Sequence, residues 1–184
     1  MSYAYQIQLE RATAVVSETG AWRPHVMEIL PQTDMEHIVR EELRAQGWDE
    51  DDHGVLHKEV EGVPCEVPAD HLEIRALLSD EVSVGHTVIA DSDDSAELRQ
   101  RRIEAGERQR ERNLTEAQQE RRRALVTQLV ELEPAIHSEL DQALHRAHAR
   151  ALEVKASKMG EIQSVSRTQG ETGELEVVIH VKVR

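Results

Sequence analysis

Apolar and polar residues alternate with a period of two at both ends of the chain. Near the N-terminus, apolar residues occupy every second position from Tyr3 to Leu9. Near the C-terminus, the same spacing runs from Leu175 to Val183. Because successive side chains of a strand point to opposite faces, each stretch predicts an amphipathic strand. A C-terminal strand is not stable alone, so we expect it to join the sheet of the N-terminal strand.

Apolar residues spaced by three and four predict a helix between Thr33 and Gly47. Thr33 and Glu36 have the spacing of a capping box at its start. Gly47 is a typical residue just after a last helical turn. The apolar face of this helix consists of Met35, Ile38, Val39 and Leu43.

Two short stretches rich in valine flank the pair Glu61-Gly62 and predict a β-hairpin, because glycine supplies the positive φ of a tight turn. The first strand would run from residue 55 to 60 and the second from 63 to 67. Pro64 and Pro68 place the second strand at a sheet edge or make it short, since proline donates no ladder hydrogen bond. One more strand is predicted between Val82 and Ile89.

The stretch from Ser95 to Gly160 predicts helix, with Pro134 as its one proline. Thr115 and Gln118 form a second capping-box pattern, which favours a helix beginning near Thr115. Pro134 favours a kink or a tight break. The stretch is therefore either one bent helix or a helical hairpin. One apolar stripe follows it, with large residues at Leu125, Leu129, Leu132, Ile136, Leu140 and Leu144.

These elements predict an α+β fold with a small, mostly antiparallel sheet. N-terminal, middle and C-terminal strands would form the sheet, and the long helical segment would be an insertion in it. We expect three parts: an acidic α+β head at residues 1–92, a long helical arm at 93–163, and a C-terminal strand at 164–184 that completes the sheet of the head.

Charge is unevenly distributed along this acidic chain, whose net charge is −14. Residues 1–91 carry six Lys and Arg against nineteen Asp and Glu, whereas Arg99 to Arg123 carries nine Arg against five Glu. An Arg-rich segment suggests weak nucleic-acid binding as one alternative function. Against it, the Arg residues are interleaved with Glu, no aromatic residue accompanies them, and the net charge repels phosphate.

Four polar residues of the arm could ligate a metal: His137, Asp141, His145 and His148. Their spacing of four, four and three places them on one helical face. Two such helices could hold Zn²⁺ or a di-iron pair, but bundle sites of this kind also need carboxylates from partner helices. The alternative is a hydrated or pH-sensitive polar face. We expect no metal or cofactor, and keep a metal-binding helical protein as another alternative function.

Catalytic signatures are absent from the sequence. Cys65 would lie across the hairpin from His57, but no orienting group or oxyanion hole accompanies them, so a structural thiol is the better interpretation. There is no Gly-rich phosphate loop, HExxH or GxSxG motif. Without a catalytic motif, we expect a protein that is not an enzyme. A single cysteine, no apolar N-terminal leader and no apolar run long enough for a membrane span predict a cytoplasmic location.

Over most of the chain, the order of the predicted elements is similar to that of a known protein family. An N-terminal strand is followed by a helix closing on Ala-Gln-Gly-Trp (Ala45 to Trp48), a hairpin, a long charged helical segment and a terminal strand from Glu174 to Arg184. This layout resembles that of the small bacterial accessory proteins of FtsH ternary systems. No specific motif carries the resemblance, so no site residues transfer. It implies a non-catalytic adaptor that works beside an AAA+ ATPase.

We therefore expect a non-enzymatic adaptor or assembly component whose arm contacts a protein partner or a second copy of the chain. The interaction surface would be the apolar stripe from Leu125 to Leu144, wherever it is not covered internally. An AAA+ ATPase is the partner that the resemblance implies.

Overall fold

The computed structural model describes residues 3–169 and 175–182. Two helices and seven strands follow one another in this part of the chain. They are β1 (Ala4–Trp22), α1 (Gln32–Ala45), β2 (Asp49–Glu50), β3 (Leu56–Val60), β4 (Val63–Val67), β5 (Ile74–Asp91), α2 (Ala96–Met159), β6 (Glu161–Gln169) and β7 (Leu175–Lys182).

An antiparallel five-stranded sheet has the strand order β1-β5-β4-β3-β2, and a second sheet contains β6 and β7. The α+β class, the antiparallel sheet and the long helix are confirmed. The C-terminal strand departs from the expected arrangement, because β7 pairs with β6 rather than with the five-stranded sheet. The polar composition and two glycines of residues 166–173 favour a loop there, but residues 166–169 belong to β6, and the remainder lies outside the described residues.

The chain forms two compact units. The first combines the residues up to Thr19 with Leu77–Glu131, and the second combines Gly20–Ala76 with the residues from Leu132 onwards. Strands β1 and β5 and helix α2 contribute to both units. The division into head, arm and terminal strand at residues 92 and 163 stays a prediction.

In the first unit, α2 packs closely on the strands β1 and β5. Gly106 is buried, and a Cβ atom at this position would collide with the side chain of Val88 on β5. Arg110 Nη1 donates to the backbone carbonyl of Glu10 on β1 at 2.7 Å. The first part of α2 therefore packs on the strands despite its many charged residues, because a glycine lets its backbone approach them closely.

The second unit has its core around α1, β3 and β4. The predicted apolar face of α1 is buried, and the side chain of Trp48 is only 2% exposed. The helix of the sequence prediction is confirmed and ends before Gly47, which has φ +90°. The capping box is wrong: α1 begins at Gln32, its N-cap is Pro31, and no side chain caps it. Proline suits this position because its missing N–H needs no partner there.

The hairpin of β3 and β4 is confirmed, with Val60 opposite Val63. Glu61 and Gly62 both have positive φ, of 50° and 79°, as a two-residue type I′ turn requires. Of the two alternatives for this strand, the edge placement is wrong, since β4 lies between β3 and β5. The other agrees with the structure, because β4 is short, with five residues. Its pairing with β5 runs over Cys65 and Glu66, so Pro64 does not interrupt that ladder.

Helix α2 continues without interruption through both of its predicted break points, Thr115 and Pro134. The helical-hairpin alternative is therefore wrong. Thr115 lies inside the helix, where its hydroxyl donates to the carbonyl of Glu111 at 3.0 Å instead of capping a new N-terminus. The true start is capped by Ser95, whose Oγ accepts a hydrogen bond from the N–H of Leu98 at 3.2 Å.

Candidate functional site

The second unit contains an open cleft of about 610 Å³. Three segments line it: the irregular stretch after β1, the first turns of α1, and the residues that lead into β5. Its side chains are mostly polar. The lining residues are Arg23, Pro24, His25, Val26, Glu28, Gln32, Met35, Glu36, His71, Leu72 and Arg75.

A buried carboxylate fixes the two arginines of this cleft. Glu73 is 4% exposed. Arg75 Nε donates to Glu73 Oε1 at 2.6 Å, and Arg23 Nε donates to the other carboxylate oxygen. These hydrogen bonds, first that of Arg75 and then that of Arg23, lower the pKa of Glu73 from 4.5 to about 2. The same pairing raises the pKa of Arg75. Glu73 is therefore ionised at neutral pH and holds both guanidinium groups in place.

His71 extends this network toward the surface. Its Nε2 lies 2.7 Å from Arg75 Nη2, and its Nδ1 lies 2.5 Å from the carboxylate of Asp70. The cleft thus presents fixed charges of both signs together with Leu72 and Val26. Such a surface can hold a polar chain segment or a small polar molecule, but no nucleophile stands beside a base in it.

The predicted interaction stripe is buried within the chain. The exposed fractions are 2% for Leu125, 8% for Leu129, 3% for Leu132, 0% for Ile136, 4% for Leu140 and 9% for Leu144. The prediction allowed contact only where the stripe is not covered internally, and these six side chains are covered. The exposed apolar side chains in this part of α2 are instead Val126 and Val130, at 44% and 60%.

The four candidate metal ligands do not converge. Within residues 3–169 and 175–182, no three His, Cys, Asp or Glu side chains are grouped as metal ligands. His137 pairs with Glu133 on its own helix at 3.4 Å. His148 Nε2 accepts a hydrogen bond from the N–H of Met27 at 3.3 Å, and burial followed by the charge of His145 lowers its pKa. His148 is thus used as a neutral acceptor inside the second unit.

Several arginines of the Arg-rich segment form ion pairs and hydrogen bonds within the first unit. Arg102 Nε lies 3.2 Å from Asp94 Oδ2 and its Nη1 donates to the carbonyl of Ile89 at 3.0 Å. Arg122 Nε pairs with Glu18 at 2.6 Å. Arg121 pairs with Asp80, and the guanidinium of Arg99 lies 5.8 Å from the ring centre of Tyr5. These arginines attach α2 to the strands, which leaves fewer of them for a phosphate backbone.

The geometry of the cleft does not identify the family of the chain, but a comparison with known families does. The family model of the FtsH ternary system domain X5 matches residues 1–183. The chain belongs to the FtsH ternary system domain X5 family. The resemblance drawn from the element order is confirmed. No match was found among curated proteins or among solved structures.

Membership in the domain X5 family makes the chain a component of an FtsH ternary system, in agreement with an accessory role. Neither helix of the described residues has a stretch that is both long and apolar enough to cross a membrane. Cys65 is buried, and burial raises its pKa to about 11. A thiol with this pKa is protonated at neutral pH. The expected placement of Cys65 across the hairpin from His57 is wrong, because Cys65 lies opposite Lys58 and His57 lies opposite Glu66.

The residues that form the cleft were not predicted from the sequence. Arg23 and Glu73 are fifty positions apart, and no periodic pattern connects them. One local signal was present: Glu73 lies in the apolar stretch Leu72 to Leu78, two residues before Arg75. A buried acidic residue in an apolar stretch needs a cationic partner, and that requirement could have directed attention to Arg75.

Proposed function

We propose that this domain X5 protein is a non-enzymatic adaptor or assembly component that binds the AAA+ ATPase of its FtsH ternary system. The observation that carries the proposal is the family match across residues 1–183. A component of a system built around an ATPase has protein partners to contact. The chemistry of the described residues agrees with this role, because the thiol has a raised pKa and the cleft lacks a nucleophile beside a base.

The contact surface in this proposal is the solvent side of α2 in the first unit. The apolar stripe is buried, so the contact must use side chains that remain exposed, and Val126 and Val130 are exposed neighbours one turn apart. A stable protein contact buries about 800 Å² on each partner. The cleft of about 610 Å³ is the alternative contact site.

Co-purification tests the proposal. The tagged full chain is co-expressed with the AAA+ ATPase, and the amount of captured ATPase is measured. We expect the double substitution Val126→Asp and Val130→Asp to reduce capture at least tenfold, with an unchanged circular dichroism spectrum. Leu98→Asp is the matched control, because Leu98 is also exposed (43%) and lies on the same helix in the same unit.

The outcomes of this experiment test the adaptor role and the α2 contact surface separately. Absence of capture by the unmodified chain would contradict the adaptor role itself. Capture that survives the valine substitutions would reject the α2 surface. The variant Arg23→Ala alters the cleft while leaving Arg75 paired with Glu73. Loss of capture in this variant alone would move the contact from α2 to the cleft.

A further inference from the structure

The sheet formed by β6 and β7 has two strands, and the outer edge of each is unpaired in the described part of the chain. The pairing runs from Glu161 opposite Lys182 to Gln169 opposite Leu175. An isolated two-stranded sheet is only marginally stable in water, and it gains stability from further strands or from packing against a helix. One additional strand at an edge would therefore stabilise this part of the fold.

The side chains of β7 are suited to a sheet that continues beyond one strand. Val177, Ile179 and Val181 share one face, and none of them is buried. Val178 on the other face is 39% exposed. These β-branched residues favour strands, and each keeps part of its apolar surface in water, where another strand beside β7 would cover more of it.

The edge of β7 is more suitable for pairing than the edge of β6. The register shifts between Ile162 and Ser164, so β6 carries an irregularity there, whereas β7 is paired continuously from Leu175 to Lys182. A bulge twists a strand and prevents another strand from pairing along it. The continuous edge of β7 has no such protection.

The charges of β7 identify its partner as a second copy of the same strand. In an antiparallel pair centred on Ile179, Glu176 of each copy lies opposite Lys182 of the other, and Val177 lies opposite Val181. Both oppositely charged pairs form at once, because the arrangement has two-fold symmetry. In a parallel pair with matched ends, each charge would instead face its like.

We propose that two copies of the chain associate through antiparallel pairing of their β7 edges, which forms one four-stranded sheet with the strand order β6-β7-β7-β6. This contact joins the apolar faces of the two hairpins and satisfies the free backbone groups of β7. It is independent of the adaptor proposal, since it uses neither the surface of α2 nor the cleft.

The mass of the full chain in solution, measured by sedimentation over a range of concentrations, tests this proposal. We expect a dimer for the unmodified chain. Glu176→Lys places lysine opposite Lys182 at both ends of the contact, so we expect the dissociation constant to rise about tenfold or more. Glu176→Gln removes the attraction without adding repulsion, and its effect should be smaller.

A charge-inverted variant is the decisive control. Lys182 also lies opposite Glu161 within the hairpin, so Lys182→Glu alone would disturb the monomer. The triple variant Glu161→Lys, Glu176→Lys, Lys182→Glu inverts the charges of both pairs and should restore the dimer. A monomeric unmodified chain, a dimer insensitive to Glu176→Lys, or failure of the triple variant to restore association would each overturn the proposal.

Hydrogen exchange gives a second measurement that locates the contact. The backbone amides of β7 that do not face β6 should exchange more slowly as the protein concentration rises and the dimer forms. The amides of β6 on its own outer edge should not change. A dimer in which the exchange of β7 is independent of concentration would place the interface elsewhere and refute the β7 contact.

Discussion

Two adjacent residues of α2 test whether the apolar stripe is core or contact surface. Leu125 is 2% exposed and Val126 is 44% exposed. Leu125→Ala removes three carbon atoms from a buried site. At about 0.8 kcal/mol for each buried methylene, the transfer contribution is about 2.4 kcal/mol. The cavity left behind raises the expected loss of unfolding free energy to about 3–4 kcal/mol.

Val126→Ala is the matched control, since it shortens an exposed side chain at the next position of the same helix. Alanine is the better helix former, which offsets the small loss of contact, so we expect a change within about 0.5 kcal/mol. Urea unfolding followed by far-UV circular dichroism measures both variants. A domain of about 5–15 kcal/mol stability stays folded in either case, so the comparison is accessible.

The refuting result is a Leu125→Ala variant as stable as Val126→Ala that has lost self-association or capture of the ATPase. Such a result would mean that the stripe is covered by a partner rather than by this chain. A large stability loss with unchanged association per folded molecule would instead establish that the stripe is core.

Three further predictions concern the packing of α2 and the buried carboxylate. Because the folded-state pKa of Glu73 is lowered from 4.5 to about 2, its contribution to stability is present above pH 4.5 and is lost as the pH falls toward 2. Glu73→Gln should therefore flatten the acid side of a curve of stability against pH. An unchanged curve would contradict the pairing of Glu73 with the two arginines. Glu139 accepts two hydrogen bonds of 2.8 Å from Lys58 Nζ, so Glu139→Ala should lower the free energy of unfolding in urea by about 1–3 kcal/mol. Adding Lys58→Ala should lower it little further, and fully additive losses would exclude coupling between the two residues. Gly106→Ala should destabilise the chain, because the added Cβ collides with Val88. This collision should outweigh the preference of about 1 kcal/mol for alanine over glycine in a helix interior. A gain in thermal stability, or no rescue by Val88→Ala, would contradict the close approach of α2 to β5.

The hairpin and helix α1 were predicted correctly, because the residues that determine each of them lie close together in the sequence. The hairpin was placed correctly because Glu61-Gly62 meets the φ requirement of its turn without help from the rest of the chain. The helix α1 was found because its apolar face has a clear period, although its cap was misassigned by two residues. The polar pattern of Thr33 and Glu36 did not mark the start, because α1 begins after Pro31 without a side-chain cap, and helix ends are commonly uncertain by one or two residues.

Predictions failed where packing between distant residues overrides a local signal. Thr115 and Gln118 have the spacing of a capping box, yet the helix passes through them because α2 is held on both sides of this point. Leu125 is buried beyond it, and Gly106 packs on a strand before it. The apolar stripe kept its period across Pro134, which was the better indicator of a single helix. Tertiary contacts outweigh the few tenths of a kcal/mol that separate local propensities.

The pairing of β7 shows a different reason for failure. Alternation predicted a strand correctly, but alternation does not identify the neighbouring strand. The nearest strand along the chain is β6, whose sequence from Glu161 to Gln169 is polar enough to have been interpreted partly as loop. A short antiparallel connection makes such a pairing easier than one with β1 at the far end of the chain, because loop closure costs less entropy.

The same contacts that complicated the prediction of the fold also reduce the number of functions open to the chain. Arg102 and Arg122 are paired with acidic partners or carbonyls in the first unit, and His148 accepts a backbone hydrogen bond in the second. These three residues, which belong to the segments that suggested nucleic-acid or metal binding, therefore have structural partners. Binding a phosphate backbone or a metal would require breaking those contacts, at a cost of about 1–3 kcal/mol for each charged group left without a partner. Contacts made by exposed apolar side chains such as Val130 require no such exchange, which favours protein partners as the ligands of this domain.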